Sequence, residues 1–552
     1  MSFNQEMLLV MKNLMQPISN KRDTNEVIAG IQRLFSISQS FGIVLMILLL
    51  FSACSDQQQV HDRQVHEVNY EHGVVNFPIS CNETAQAEFE LGLAHLHHMM
   101  YSQAQPRFEA AAEADPDCAM AHWGIAMTSF QPLWAPTSDD DMVRGIEAVQ
   151  NARALGAPTD RERAFISTAA AFFNDPDPPA DSRPGDHKKR LRAWMEASME
   201  LHEAMPDDVD AAAFYALSEI SYAMTYFSPH QERDFTREKR AGALMERFLE
   251  DYPEHPGLFH YLIHAYDSSD LAHMAEDVAR KYDRVAPDTP HALHMPSHIF
   301  VRLGYWEDTA DWNERSAEAA LRNPYRGITS LHYPHALDYM MYAYLQLEEY
   351  EKARKTLEKV RAIEEGQPHF ATAYGIAAAQ ARYYLEQQKW EEAAQLSVYE
   401  PGAVDWDNYP AAKSIFYYAR GLGAARSGDL DQAEEERDKI SEAVQEMRNA
   451  GDIYWSYMTE ALSIATDAWI LYESGQTESA LELINEAAEL EESMDKHPIT
   501  PGEVLPVREL QAEMLYLEGR YEEAQNAFEA SMERTPNRRN ALKGLEETVA
   551  AL

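Results

Sequence analysis

Gly92 to Pro116 reads GLAHLHHMMYSQAQPRFEAAAEADP, with Gly92, Ala104, Phe108, Ala111 and Pro116 spaced 12, 4, 3 and 5 apart. Near the other end of the chain, Gly519 to Pro536 reads GRYEEAQNAFEASMERTP, and Ala524, Phe528, Ser531 and Pro536 repeat the 4, 3 and 5 spacing. Residues three and four apart share one face of a helix. Small residues there let two antiparallel helices approach closely, the aromatic fills the gap beside them, and the proline stops the second helix. Weaker copies lie between: Ala241 with Pro253, Tyr266 with Ala275 and Pro287, Gly304 with Trp306, and Tyr350 with Ala353. Trp390 with Ala393, Gly428 with Ala433 and Gly475 with Ala480 continue the series. Self-similarity at this period marks a repeat array, here about ten helix pairs. β-branched alternation and Asn-Gly hairpin signals are nearly absent, so strands are not expected.

These spacings resemble those of tetratricopeptide repeats over most of Thr84 to Leu552. The resemblance implies an all-α chain, a right-handed superhelical α-solenoid of tetratricopeptide-like helix pairs. It divides the chain into repeats at 84–130, an insertion of helices and a proline-rich loop at 131–208, central repeats at 209–345, and acidic repeats with a cap at 346–552. The insertion carries Trp134, the proline-rich loop from Asn174 to Gly185 and the basic patch His187 to Arg190. A second long loop, Val398 to Pro410, holds Trp406. Beyond Tyr409 the only histidine is His497, and acidic runs such as Glu434 to Glu436 and Glu489 to Glu492 read as solvated helix faces.

With 91 acidic against 47 basic residues among 552, the net charge is -44, which argues against nucleic acid, whose phosphates demand a basic footprint. Phe41 to Phe51 (FGIVLMILLLF) is an apolar run preceded by Lys21, Arg22 and Arg33. It is short for a bilayer span, which takes about 20 residues. Leu50-Phe-Ser-Ala-Cys54 follows and resembles the lipobox of bacterial lipoproteins, with Phe51 where that family usually has leucine. The resemblance implies that residues 1–53 are a signal segment removed in the mature chain and that Cys54 is acylated. Residues 54–83 would be a polar tether, and the repeats would sit at a bacterial envelope membrane, outside the cytoplasm. A start at Met11 or Met15 would give the signal an ordinary length; an uncleaved anchor is the competing account. Cys81 and Cys118 remain, and an exported setting would permit them to pair.

Three central segments each open with proline: Pro256-Gly-Leu-Phe-His260-Tyr-Leu-Ile-His264, Pro290-His291-Ala-Leu-His294-Met-Pro-Ser-His298 and Pro334-His335-Ala-Leu-Asp338-Tyr-Met-Met-Tyr342. Histidines four apart lie on one helix face, about 6 Å apart along the axis. In tetratricopeptide repeats the second, fifth and ninth positions of the first helix face the groove, so the resemblance points His260, His264, His291, His294, His298, His335 and Asp338 inward. Neighbouring axes are about 8–10 Å apart. His260 and His264 on one helix would then meet His294 and His298 on the next at one ion, with His291 and His335 auxiliary. Zinc, copper or iron suits imidazole-rich ligation. Asp338 would orient a ligand or serve as the acid/base group, and Tyr261, Tyr266, Asp267, Tyr339 and Tyr342 would support the ligands. Pro296 would kink or restart its helix.

Neither pair contains the Glu of a His-Glu-x-x-His protease, and phosphate loops, nucleophile elbows and Rossmann fingerprints are absent. A second cluster, His95, His97, His98 and His122, lies in the first repeats and would be partly buried there, or curl toward the central one. The His-rich stretches, with Ala119 to Met127 (AMAHWGIAM), also resemble those of a group of bacterial tetratricopeptide proteins, which implies a shared central site without naming a reaction. Two functions stay open: a binding scaffold taking a protein or peptide in its concave groove, or a metal-binding protein or metal-dependent enzyme, a hydrolase or oxidoreductase. Convergence of the imidazoles in a closed cavity would favour the second, an open groove the first.

Overall fold

The aromatic of each strong repeat lies in a slot that only glycine leaves open. A Cβ added to Gly124 would stand 2.2 Å from the Phe108 ring, and one added to Gly544 2.2 Å from the Phe528 ring. In both cases the glycine is 16 residues after the aromatic, on the first helix of the next unit. The computed structural model describes residues 72–134, 136–173, 184–225, 233–398 and 400–552, and the unit they form runs from Asn69 to Leu552.

Within that unit the chain is an all-α solenoid of tetratricopeptide-like helix pairs. Glu83–His97 packs on Tyr101–Ala114, Trp306–Arg322 on His332–Gln346, Pro410–Ser427 on Leu430–Ala450, and Val507–Leu517 on Tyr521–Arg534. First helices also stack on first helices: Val209–Met224 on Pro256–Ala265, His332–Gln346 on Phe370–Leu385, and that helix on Pro410–Ser427. Among the described residues there is no strand, only the isolated bridges Tyr325–Ile328 and Thr329–Gly366.

In the stretch 131–208, Asp139–Leu155, Asp160–Phe173 and Pro184–Ala204 pack in series with their neighbours. Its proline-rich loop falls largely outside the described residues, as do the apolar run and Cys54. Two features differ from the sequence expectation. The described part of the expected tether is packed, because Phe77 is apolar and inserts among Phe89, Trp123 and Phe165. The acidic runs are only partly solvated. Glu436 is buried against Arg420, and the buried Glu491 accepts from the Val507 N–H at 2.9 Å. Cys81 and Cys118, flanking the first helix pair, are joined by a disulfide.

The C-terminal repeats fold back on the central ones. Trp306 Nε1 donates to the Asn537 carbonyl (2.9 Å), and Gly304, at φ +68°, lies so close to Pro536 that a Cβ would meet its carbonyl oxygen at 2.3 Å. Arg538, fully buried, binds Glu509, Glu386 and the Tyr342 hydroxyl. The loop between Thr477–Glu492 and Val507–Leu517 runs across the central helices. Arg302 pairs with Asp495, Tyr339 donates to the carbonyls of Pro498 and Thr500, and Arg382 donates to those of Gly502 and Glu503. This loop covers the His-lined stretch.

Candidate metal centre

Three first helices bring the histidines together. Pro256 and Pro290 stand at the first helical position, where the missing N–H costs nothing. Pro296 does interrupt the second helix, into Pro290–His294 and Pro296–Leu303. Met295 between them keeps helical angles (φ -53°, ψ -40°), so His294 and His298 remain on one face.

All six central histidines are buried, from 0% to 8% exposed. Their ligand atoms form two trios, each spanning at most 4.8 Å: His260 with His264 and His291, and His294 with His298 and His335. The four expected ligands, His260, His264, His294 and His298, fall two in each trio. His291 and His335 are third members of separate trios, because the side chains within each helix meet first, and a histidine from the next segment completes each set. Asp338 is also placed otherwise. Its Oδ1 accepts from Arg382 Nε at 3.0 Å, while Oδ2 is buried without a partner among the described residues, so it anchors the covering loop through Arg382. Burial pushes the Asp338 carboxyl up to about 6, against the pull of Arg382.

Within each helix the imidazoles face one another. His260 Nε2 lies 3.1 Å from His264 Nε2, and His294 Nε2 lies 3.0 Å from His298 Nε2. The other ring nitrogens assign the protons. His260 Nδ1 is 2.6 Å from the His97 carbonyl, which can only accept. His298 Nδ1 is 2.9 Å from the Asp267 carboxylate. His294 Nδ1 is 2.7 Å from Asn313 Oδ1, whose amide nitrogen is committed to the Thr309 carbonyl. Each of these Nδ1 atoms therefore donates, leaving Nε2 as a bare lone pair. In the His294–His298 pair two lone pairs point at each other. Both nitrogens of His291 are buried without a partner among the described residues.

Burial keeps these rings neutral. Desolvation holds His264, His291, His294 and His335 well below the ordinary imidazole value, and pushes His260 down to about 3. His298 is lowered by burial despite Asp267. Asp267 itself is held well below the carboxylate range, against desolvation, chiefly by Lys496 and Arg302. Neutral imidazoles with Nδ1 fixed by acceptors are metal ligands in their working tautomer.

Sequence reasoning found Asp267 as a supporting residue but not Asn313, Arg302 or Lys496, whose relevance depends on distant packing. Lys496 reaches Asp267 at 3.4 Å from 229 residues away. Trp134, singled out in the sequence, closes another side, with its ring 5.2 Å from His291 and 5.3 Å from His369. A cavity of about 30 Å³, room for a water or two, adjoins the centre and is lined by His264, Asp267, Ser268 and Lys496 among others.

The N-terminal histidines do curl toward the centre. His97 supplies the carbonyl to His260 and lies 3.0 Å from Asp210, which His255 approaches at 3.3 Å. In this third grouping Asp210 Oδ1 accepts from both Nε2 atoms and His97 Nδ1 takes the Tyr261 hydroxyl at 3.1 Å, while His255 Nδ1 and Asp210 Oδ2 are buried without a hydrogen-bond partner among the described residues. His98 binds the Tyr282 hydroxyl and the His72 carbonyl, and His122 lies only partly buried.

No protein-family model matches the chain, and no curated protein does. Among solved structures, the APC/C Cut9-Hcn1 hetero-tetramer is similar at 10% identity and a TM-score of 0.37, over 89% of this chain and 81% of that one. Yeast Tom70 is similar at 10% identity and a TM-score of 0.29, over 90% and 93%. The TPR domain of P58(IPK) is similar at 12% identity and a TM-score of 0.21, over 85% and 98%. The fold assignment rests on the helix pairs of this chain. They define an all-α helical-repeat solenoid.

Proposed function

We propose that this chain is a helical-repeat scaffold that encloses a histidine metal centre, with the centre carrying its chemistry and the stacked repeats its assembly contacts. The observation that carries this is the His294–His298 pair, two buried lone pairs 3.0 Å apart with both Nδ1 protons committed elsewhere. Two bare acceptors repel unless a cation lies between them. A tetrahedral zinc site separates neighbouring nitrogens by about 3.3 Å, from Zn–N distances near 2.05 Å, so the pair is close to ligand spacing. Asp267 behind His298 is the carboxylate–histidine partner that metal ligands usually have. The test is elemental analysis of the full chain, purified in detergent without affinity histidines or added metal. Near-stoichiometric metal is expected; none, even after reconstitution with zinc, copper or iron, would overturn it.

The scaffold belongs, in this proposal, at a bacterial envelope membrane, tethered by an acyl chain on Cys54, with a protein or peptide partner held by the repeats. The sequence Leu50 to Cys54 supports the anchor. Among the described residues no helix is long and apolar enough to cross a membrane. Cys54→Ser should move the chain from the membrane fraction to the soluble one; an unchanged distribution would remove the anchor.

A further inference from the structure

The two trios are adjacent as well as separate. His264 and His298, one from each, have ring centroids 5.7 Å apart, and His291 and His294 6.0 Å. Within the trios, His260 and His291 are 5.0 Å apart and His294 and His335 4.2 Å. A site of three protein nitrogens leaves a coordination position for an outside ligand, the pattern of catalytic rather than closed structural sites.

The donor set narrows the metal. Each trio is all imidazole, which suits copper, zinc and iron; carboxylate-rich sites suit harder ions. The nearby carboxylates are engaged elsewhere. Asp267 is held by His298, Arg302 and Lys496, and Asp338 by Arg382. Asp267 is therefore not free to bridge two ions, as paired iron or manganese would require, and Asp338 has only Oδ2 left on a carboxyl that Arg382 holds. Copper(II) stands above zinc in affinity for nitrogen sites.

We infer that His260, His264 and His291 hold one copper ion and His294, His298 and His335 a second, the two forming a binuclear centre that takes a small bridging ligand. The inference rests on the metal-centre reading above and adds its nuclearity, metal and ligand class. The cavity that reaches His264 holds about 30 Å³, which limits entry by that side to a small molecule. His264 lines that cavity together with Asp267, Glu238 and Lys496, so a small ligand entering there comes alongside an imidazole of the first trio.

The test loads the full chain in detergent with copper and counts ions bound. Wild type should hold two, His291→Gln and His335→Gln one each, and the double variant none, with circular dichroism and melting of the metal-free forms as the folding control. Electron paramagnetic resonance of the copper(II) wild type needs no variant. Adjacent coupled ions should lose most of the signal expected for two isolated coppers, and azide should shift the optical spectrum. One copper in wild type, abolished by either single substitution, would overturn the two-site inference while leaving a metal centre. So would two coppers with full, uncoupled signal. No copper, zinc or iron bound under any condition would overturn the metal centre itself.

Discussion

At the scale of the residue, the decisive feature is which nitrogen of each imidazole carries the proton. His294 and His298 are fixed in the same tautomer by unrelated partners, Asn313 and Asp267. The spacing of four was legible in the sequence; the tautomers were not, since Asn313 lies on the following helix and the Asp267 charge is set by Lys496 and Arg302. Asp267→Asn keeps the shape but removes the charge that raises the basicity of His298. It should weaken metal binding at the His294–His298–His335 site about 10–100-fold, and more than at the other site, as measured by competition with a chromophoric chelator. An affinity at that site unchanged from wild type would show that Asp267 serves the ion pairs alone. Because Asp267 is buried with two cations, the variant's melting temperature must be followed in parallel.

At the scale of the element, one small residue and one aromatic account for each strong repeat. Phe108 occupies the space in front of Gly92 and Gly124, and Phe528 that in front of Gly544. Gly124→Ala would place a methyl 2.2 Å from a ring carbon. The ring is enclosed by Phe89 at 5.4 Å and has little room to retreat. Overpacking of this kind costs about 1–3 kcal/mol, to be read as a lower denaturant midpoint with an unchanged slope. An unaltered midpoint would mean that the slot relaxes freely. The same scale shows why the broken second helix still serves the site. The proline at 296 removes a backbone donor, but Met295 stays in the right-handed helical region and the facing side chains keep their register.

At the scale of the whole molecule, closure turns a groove into an interior. The loop carrying Asp495, Lys496, Thr500 and Gly502 buries the central histidines under cover from the other end of the repeat run. Burial has a consequence for stability against pH. His97 and His369 are pushed down to about 4 by desolvation, and His260, His332 and His497 to about 3. These rings stay neutral in the fold and take up protons on unfolding near pH 6.5. The unfolded state then binds more protons between those limits, so stability rises with pH through that window and is lost as pH falls. Each ring contributes about 1.4 kcal/mol per pH unit there. The metal-free chain should melt at a nearly constant temperature above pH 7 and fall steeply below about pH 6.5; melting curves flat down to pH 5 would contradict it.

The local content of this chain was settled by sequence alone. Helices, their pairing and the His-x-x-x-His spacing follow from periodicities of three and four and from where glycine and proline stand, which are short-range matters of sterics and hydrogen bonding. Three things were decided only by tertiary structure: the grouping of six histidines as three and three, the diversion of Asp338 to Arg382, and the cover over the centre. Each depends on residues far apart in the chain, Lys496 with Asp267 or Arg382 with Gly502. Such contacts are set by how many small rotations accumulate from one helix pair to the next, a quantity that no single repeat encodes.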